Sequence, residues 1–496
     1  MAGRAAETAG YGGLFRYTLA DGSPPAGRLL GNDPYETLIA DTWSSKIWWV
    51  HSEALYTLLL MAEQHDDPQF FSLYQQTADY VLNTFPNREQ GEWTQIRDRE
   101  GVPLYARCFI WDRQYAVVSL ELLFAGDNLD RQIRTALADI PELAGLDLIL
   151  TATHSHCAPQ TADNHSPQLG ECDTQYTAFI TQQVITGLQT ALAAGKPVTA
   201  QIAVSDCPLA VHRRLMVNGE IIMAPNPDEP ADTTATLVRF TDEKQQVCAV
   251  LVHNQCHPTI TGDNILSGEY PGVVCDEIET AFPGAVCLLL QGFCGDLRPD
   301  LNRDGQFYRA DYAQMEICGK QLSALFLDAL EQPDLPLLPL TTPPYFRQRQ
   351  ISLPLQPVMN NEQLIQFRDE HAPDTIEYEW AVYKLKQTER GISLRAEQTI
   401  TLTCLHLSPQ LKLLTVSAEV VNHYQQLLRA KGQYFLGIGY SNGMAGYLPS
   451  ARQIAEGGYE PHGSAYYFYL DAPFAPQAEY LFTEALFRLS EEHNND

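Results

Sequence analysis

LDLILTATHSHCAP, residues 146–159, decides how this chain is read. Leu148, Ile149 and Leu150 form a short continuous apolar run, the pattern of a strand buried on both faces. The run closes on His154 and His156, spaced i and i+2. Alternation along a strand puts residues two apart on one face, so both imidazoles are predicted to point to the same side of a sheet edge. Neutral imidazole is the commonest zinc ligand. An H-x-H at a strand end suits a catalytic metal and a pair of satisfied polar histidines equally well.

The same design recurs downstream. VLVHNQCHPT (250–259) is an apolar strand that ends in His257-Pro258, where proline stops the ladder. LLLQGFCGDLRPDLN (288–302) is a strand followed by a glycine turn whose backbone amides could hold an anion or a carbonyl oxygen. In VSAEVVNHY (416–424), Glu419 follows a hydrophobic strand and is predicted to open a helix, where an acid meets the helix dipole. GYSNGMAGYLPSARQIAEGGYEP (439–461) is a glycine-rich loop with Tyr447 and Tyr459, a residue type that usually packs its ring and wets its hydroxyl. Two strands that each deliver histidine to a loop shift the balance toward a site, because sheet ends are where ligand sites gather.

Between these strands the apolar period lengthens to that of helices at about 128–138, 174–195, 271–282 and 309–330. Further strands are predicted at 199–204, 235–240 and 246–253. Alternating strands and helices with buried apolar runs predict an α+β or α/β core. EQPDLPLLPLTTPP (331–344) reads as an extended connector, followed by a charged helical segment at about 361–390 and paired strands at 399–406 and 411–418. Upstream of residue 101 the character changes. Two amphipathic helices are predicted around the polar turn HDDPQ, the first on Leu55, Leu58 and Leu59, the second on Phe70, Leu73 and Val81. Five of the six tryptophans lie before residue 112, which also sets the two ends apart. The expected organisation is a helical part, 1–101, and a larger domain, 102–496.

Composition excludes several classes. The 496 residues hold 32 Lys plus Arg against 61 Asp plus Glu, a net charge of −29. Like charge repels nucleic acid and anionic membranes, so neither is expected as a partner. Eleven cysteines, an odd number with no C-x-x-C pair, give neither a disulfide framework nor a zinc ribbon and fit a reducing compartment. The opening MAGRAAETAGYGG has no apolar signal core, and no apolar run nears the ~20 residues of a membrane span. A soluble, cytoplasmic protein with no integral membrane segment is the expectation.

From about residue 103 onward, five segments in order resemble the catalytic domain of neutral ceramidases. TATHSH is similar to that family's T-H-T-H-S-G-P, NQCHPT to its H-P-T, and LSGEYPG to its S-x-D-Y-P-G. QGFCGDLRPDLN is similar to its glycine-rich nucleophile loop and AGYLPSARQIAEGGYE to its terminal tyrosine loop. The resemblance implies an α+β domain of layered α/β/β/α type and a single Zn2+ held by His154, His257, Glu419 and Tyr447. It implies that His156, Arg213 of VHRRL and Tyr459 lie beside the substrate amide. The implied reaction is hydrolysis of a small-molecule N-acyl substrate by zinc-activated water, zinc lowering the pKa of that water towards ~7. Arg213 or Tyr459 would then steady the oxyanion and His156 protonate the leaving amine.

Two departures qualify this. Arg298 of GDLRPD stands at the family's serine position. An arginine cannot be acylated, so a serine route is excluded there. Arg298 is expected instead to bind an anionic substrate group, or to mark a zinc-binding pseudoenzyme. The chain also stops about 35 residues after Tyr459, which is expected to leave no room for the immunoglobulin-like domain that follows in true ceramidases. That shifts the expected substrate from ceramide towards a soluble N-acyl compound or another small amide or ester.

The helical part resembles N-acylglucosamine 2-epimerases, whose fold is an (α/α)6 barrel, through W-W-x-H-x-E-A-L at 48–55 and G-E-W at 91–93. Only a late hairpin of that barrel is represented. The family's histidines from an earlier helix and from a downstream F-H-x-P-R segment have no counterpart. An inactive all-α fragment is therefore implied, with His51 and Glu53 as core-facing residues or as the lining of a remnant sugar pocket. N-acyl sugar 2-epimerisation through His51 is the alternative function.

Overall fold

The computed structural model describes residues 46–65, 68–84, 86–87, 92–93, 96–97, 104–341 and 343–492. Two compact units divide the chain, residues 1–105 with 263–268, and residues 106–262 with 269–496. In the smaller unit, α1 (Trp48–His65) and α2 (Pro68–Thr84) pack as a hairpin. Pro68 opens α2, a position where the missing N–H is no loss. Leu58 and Val81 are buried between the helices, and the fully buried His51 stacks on Tyr80 at 5.4 Å. Two-residue ladders join 46–47 to 96–97 and 86–87 to 92–93. The described residues contain no closed barrel. The Glu53 side chain lies outside them.

The larger unit opens with the hairpin β1 (Ala106–Trp111) and β2 (Tyr115–Leu120). Helix α3 (Gly126–Ala138) then returns the chain to β3 (Asp147–Ala152), parallel to β2. Next come α4 (Thr174–Ala193), β4 (Val198–Asp206), β5 (Ala210–Val217), β6 (Glu220–Asn226), β7 (Thr234–Asp242) and β8 (Val247–Asn254). They are followed by α5 (Glu269–Ala281), β9 (Val286–Gln291), β10 (Leu297–Pro299) and α6 (Tyr312–Leu330). Asp173 and Asp311 cap α4 and α6 by accepting from free amides of their first turns.

The predicted connector is not wholly without pairing. Its Leu337–Leu338 forms β11 against the edge of β4. Strand β12 (Tyr345–Pro354) follows, and the charged segment at 361–390 divides into α7 (Asn361–Asp369) and α8 (Ile376–Glu389). Pro373 cannot continue a helix, and Thr375 caps the second one. The unit ends with β13 (Glu397–His406), β14 (Leu411–Val416), β15 (Glu419–Val420), α9 (His423–Lys431), β16 (Tyr434–Ile438), β17 (Tyr447–Leu448) and α10 (Gln477–Glu491).

Two of the sheets pack face to face, one ordered β9-β8-β7-β4-β11 and the other β12-β13-β14-β16. Side-chain alternation lets β13 and β14 serve two cores at once. Leu405, Leu411 and Leu413 meet Ile202, Val238, Leu251 and Leu288 between the sheets. Leu402, Cys404, Leu414 and Val416 face the other way, onto Phe482, Leu486 and Leu489 of α10. Helix α6 packs on β4 and β7, so the layers run helix, sheet, sheet, helix. Burial on both faces is why β8 and β9 are nearly continuous apolar runs.

Candidate metal centre

The histidines and the glutamate each sit just past the carboxyl end of a strand that has a parallel neighbour. His154 follows β3, His257 follows β8 and Glu419 follows β14. A helical crossover lies within each of these parallel pairs, the arrangement that gathers ligand sites at strand ends.

Local geometry differs from the expectation at three points. First, His154 and His156 owe their approach to a turn, because β3 stops at Ala152. Thr153 N and Ser155 N still donate to Leu120 O and Leu122 O, but His154 between them adopts φ 64°. Left-handed backbone costs a non-glycine residue about 1–2 kcal/mol. Here the His154 ring is held by Nδ1 on Leu123 O at 2.9 Å and by stacking on Tyr440 at 4.0 Å. Second, Glu419 does not open a helix. It lies in β15, which pairs parallel with β17 so that Glu419 is register partner to Tyr447, and α9 starts only at His423. Third, several amides of the glycine turn after β9 are already committed to backbone carbonyls. Those of Gly292, Gly295 and Leu297 donate to the carbonyls of Asn254, Val420 and Cys294.

His154 Nε2 and His257 Nε2 stand 3.1 Å apart. Glu419 Oε1 is 3.4 Å from the first and 2.9 Å from the second. His156 Nε2 is 3.4 Å from His154 Nε2, and one nitrogen from each of the three histidines lies within 4.8 Å of the others. Each buried ring already spends its other nitrogen, since His154 Nδ1 donates to Leu123 O and His257 Nδ1 to Cys294 O. A carbonyl only accepts, so in the neutral rings both Nε2 atoms are bare lone pairs. Burial, then the charge of Arg213, pushes His257 down to about 4, which leaves it neutral at pH 7. Glu419 Oε1 is buried and receives no hydrogen bond. Three electron-rich atoms thus converge on one point with no proton between them. This donor set could hold a metal ion.

Arg213 leads the surrounding groups. Its Nε donates to Glu460 at 2.8 Å, its Nη2 to Tyr447 Oη at 3.0 Å, and its Nη1 lies 3.5 Å from His257 Nε2. The guanidinium also lies over the rings of Tyr447 and Tyr459, 5.6 and 5.8 Å from their centroids. Burial pushes the Tyr447 phenol well up, Arg213 opposing and Glu419 adding to the shift. Tyr459 is 37% exposed and packs edge-on against Tyr447. His156 is the exposed histidine, yet crowding by the protein, then His154 and His257, hold its pKa well below the ordinary value. Seven of the expected residues therefore meet: His154, His156, His257, Glu419, Tyr447, Arg213 and Tyr459. Arg298 makes none of these contacts, its guanidinium lying over the Phe307 ring.

Several neighbours escaped the sequence reading. Tyr440 stacks on His154. Glu460 binds both Arg213 and Arg214. Asp296 accepts from His212, Gln453 and the Asn422 amide, while its carbonyl takes the Arg213 amide. Glu460 directly follows Tyr459 and Asp296 sits inside the glycine turn, so proximity to chosen residues was the available signal.

Comparison with known proteins separates the two units. A family model for N-acylglucosamine 2-epimerase (GlcNAc 2-epimerase) matches residues 14–109. The N-acylglucosamine 2-epimerases of Bos taurus and Homo sapiens are 33% and 34% identical over 91 residues, 18% of this chain. The chain spans only 18% of the length of either relative. Neutral ceramidase from Pseudomonas aeruginosa is a structural neighbour at TM-score 0.56 and 13% identity, covering 76% of this chain and 66% of its own. A ceramidase complexed with C2 aligns at TM-score 0.57 and 14% identity, over 77% and 67% of the two chains. The fold is ceramidase-like. Among the described residues no helix is long and apolar enough to cross a membrane.

Proposed function

We propose that residues 102–496 form a zinc-dependent hydrolase of amide bonds in N-acyl compounds, and that residues 1–101 are an epimerase-like helical fragment without catalysis of its own. One observation carries the reading. Two bare imidazole nitrogens and a hydrogen-bond-free carboxylate oxygen lie 2.9–3.4 Å from one another in the interior. Zn–N bonds of 2.0–2.1 Å put neighbouring ligand atoms of a tetrahedral site about 3.3–3.4 Å apart, so the donor set fits the ion. His154, His257, Glu419 and Tyr447 are its proposed ligands. The chemistry zinc supplies when bound is Lewis acidity at a carbonyl and acidification of water.

The remaining work falls to the chain's own groups. Arg213, fixed by Glu460 and Tyr447, offers a preorganised positive charge where negative charge develops on the carbonyl oxygen. Such a donor needs no reorganisation during the reaction. Tyr459 lines the open side and orients the substrate. His156, next to the ligands but exposed, passes a proton to the departing amine nitrogen.

The test is metal analysis of the purified full chain with a screen of N-acyl substrates. About one zinc per chain and hydrolysis abolished by chelation and restored by zinc are expected. Undiminished hydrolysis by the metal-free protein would sink the proposal.

A further inference from the structure

Beyond the ligand cluster, the segment after the glycine turn holds two cations in an uncommon setting. Arg298 lies on β10 opposite Val211 of β5, two residues before Arg213. Its guanidinium rests 4.9 Å above the Phe307 ring, and its Nη1 is 3.6 Å from Met223 Sδ. Neither neighbour can neutralise it. Burial, then Arg309 and Arg213, pushes Arg298 down to about 10, and every charge bearing on it is a cation. Arg309 stacks its stem against Gly262, where a Cβ would come within 3.0 Å of the arginine's own. The chain at Arg309 runs beside the segment that follows His257, Ala310 bridging to Thr261 and bonding through its backbone to Ile260 and Gly262. The nearby Glu269 spends its carboxylate on the amides of Ile260, Thr261 and Tyr270. No carboxylate among the described residues pairs with Arg298 or Arg309. In a chain with 61 acids and 32 bases, a half-buried arginine sheathed by an aromatic ring and a thioether is a receptor for an anion from outside.

Resting on the hydrolase reading, we propose that the substrate's amine half carries an oxyanion, a carboxylate or a sulfonate, which Arg298 and Arg309 bind. Arg298 lies across the strand pair from Val211, two residues before Arg213, and Arg309 lies beside the segment that follows His257. Exposed Ile222, Met223 and Tyr308 supply apolar surface for the rest of an amphiphile. N-acyl amino acids and N-acyl taurines have this chemistry, and N-acyl ethanolamines lack the charge. In the reaction the C–N bond breaks as the oxygen of water joins the acyl carbon. Both protons of that water end on the amine nitrogen, leaving a carboxylate and an ammonium.

The experiment compares N-decanoylglycine, N-decanoyltaurine and N-decanoylethanolamine on the zinc-loaded full chain. The expected result is a kcat/KM at least about tenfold higher for an anionic amide than for the ethanolamide, the size of one charge-assisted contact. Arg298→Gln should collapse that ratio about tenfold, mainly through KM, and Arg298→Lys should restore part of it because a point charge lacks the guanidinium fork. A preference for glycine over taurine, or the reverse, identifies the oxyanion. Equal rates on charged and neutral amides, or a ratio unmoved by Arg298→Gln, overturns the anion site while leaving the hydrolase reading intact. If no amide turns over, calorimetric binding of N-decanoylglycine decides: binding weakened about tenfold by Arg298→Gln upholds the anion site, and unchanged or absent binding removes it.

Discussion

The two units are recognised by opposite kinds of likeness. Residues 14–109 keep a contiguous epimerase signature, and 91 residues of the chain are a third identical to epimerases. The larger unit is matched to ceramidases at only 13–14% identity, through the arrangement of its strands. Strand interiors need only be apolar and of the right length, so their sequence drifts while the fold persists. The loops after the strands are constrained, but they are short and scattered. His154 and His257 are 103 residues apart, and Arg213 is 234 from Tyr447. The scattered set nevertheless meets at one point, whereas the contiguous motif represents 18% of its relatives' length. Similarity along the sequence and completeness of a site are different properties, and only the second predicts chemistry.

The contrast breaks most sharply at the metal ligands. His257→Ala is expected to remove zinc and lower kcat/KM by about 10³-fold or more, since a Lewis acid contributes several kcal/mol to the transition state. Parallel zinc analysis and amide kinetics check this, and an active, zinc-replete variant would contradict it. His156→Ala sharpens the same point. As a proton donor off the metal, His156 should be worth about 10²–10⁴ in rate with zinc content unchanged. Loss of zinc in that variant would instead make it a ligand, the three-histidine arrangement that the 4.8 Å cluster also allows.

Legibility followed the same division. Apolar runs revealed many strands of the larger unit, and the resemblance to ceramidases singled out His154, His257 and Glu419 past their ends. Conformation past the strand ends was not legible. Nothing in HSH announces φ 64° at His154, because the turn is stabilised by Leu123 O and the Tyr440 ring, which come from elsewhere in the chain. Glu419 was assigned to a helix end because its partner strand, Tyr447–Leu448, is two residues long and carries no periodicity. Pro373, by contrast, is plain in the sequence, and it divides the charged helical segment expected at 361–390 into two helices. Glu460 and Asp296 were out of reach for another reason. Their role is to hold Arg213 in place, through a side chain and a carbonyl that only the folded chain brings to it.

Acidity should act on the larger unit through its buried neutral histidines. His253 donates from Nε2 to Gly437 O at 2.8 Å, and burial pushes it down to about 4, with smaller effects from Arg429 and Asp232. An unfolded histidine titrates near 6.5, so between about pH 6.5 and 4 the unfolded chain takes up a proton that the folded chain refuses. Stability is full above 6.5 and is lost as pH falls through this window, by up to about 3 kcal/mol for this one residue. His165, pushed down to about 4 by burial, acts in the same direction. Thermal melting between pH 7.5 and 4.5 should show the decline, and His253→Gln, which can still donate to Gly437 O, should flatten it. An unaltered slope in that variant would remove His253 from the account.

The smallest expected effect is the one that most directly tests the contrast between units. His51 is fully buried and stacked on Tyr80, with ring planes 24° apart. Replacing it by alanine should cost the helical hairpin a stacking contact, worth about 0.5–1.5 kcal/mol beyond the area lost. Amide hydrolysis should stay within about twofold, because His51 belongs to the smaller unit and every proposed site residue to the larger one. The full chain should also leave N-acyl hexosamines unepimerised, since the matched stretch spans only 18% of the epimerases' length. Proton exchange at C2 of N-acetylmannosamine, followed by NMR in deuterated water, is the sensitive assay. Exchange that disappears in His51→Ala would show that a fragment can keep its chemistry, and the rule drawn from the larger unit would fail in the smaller one.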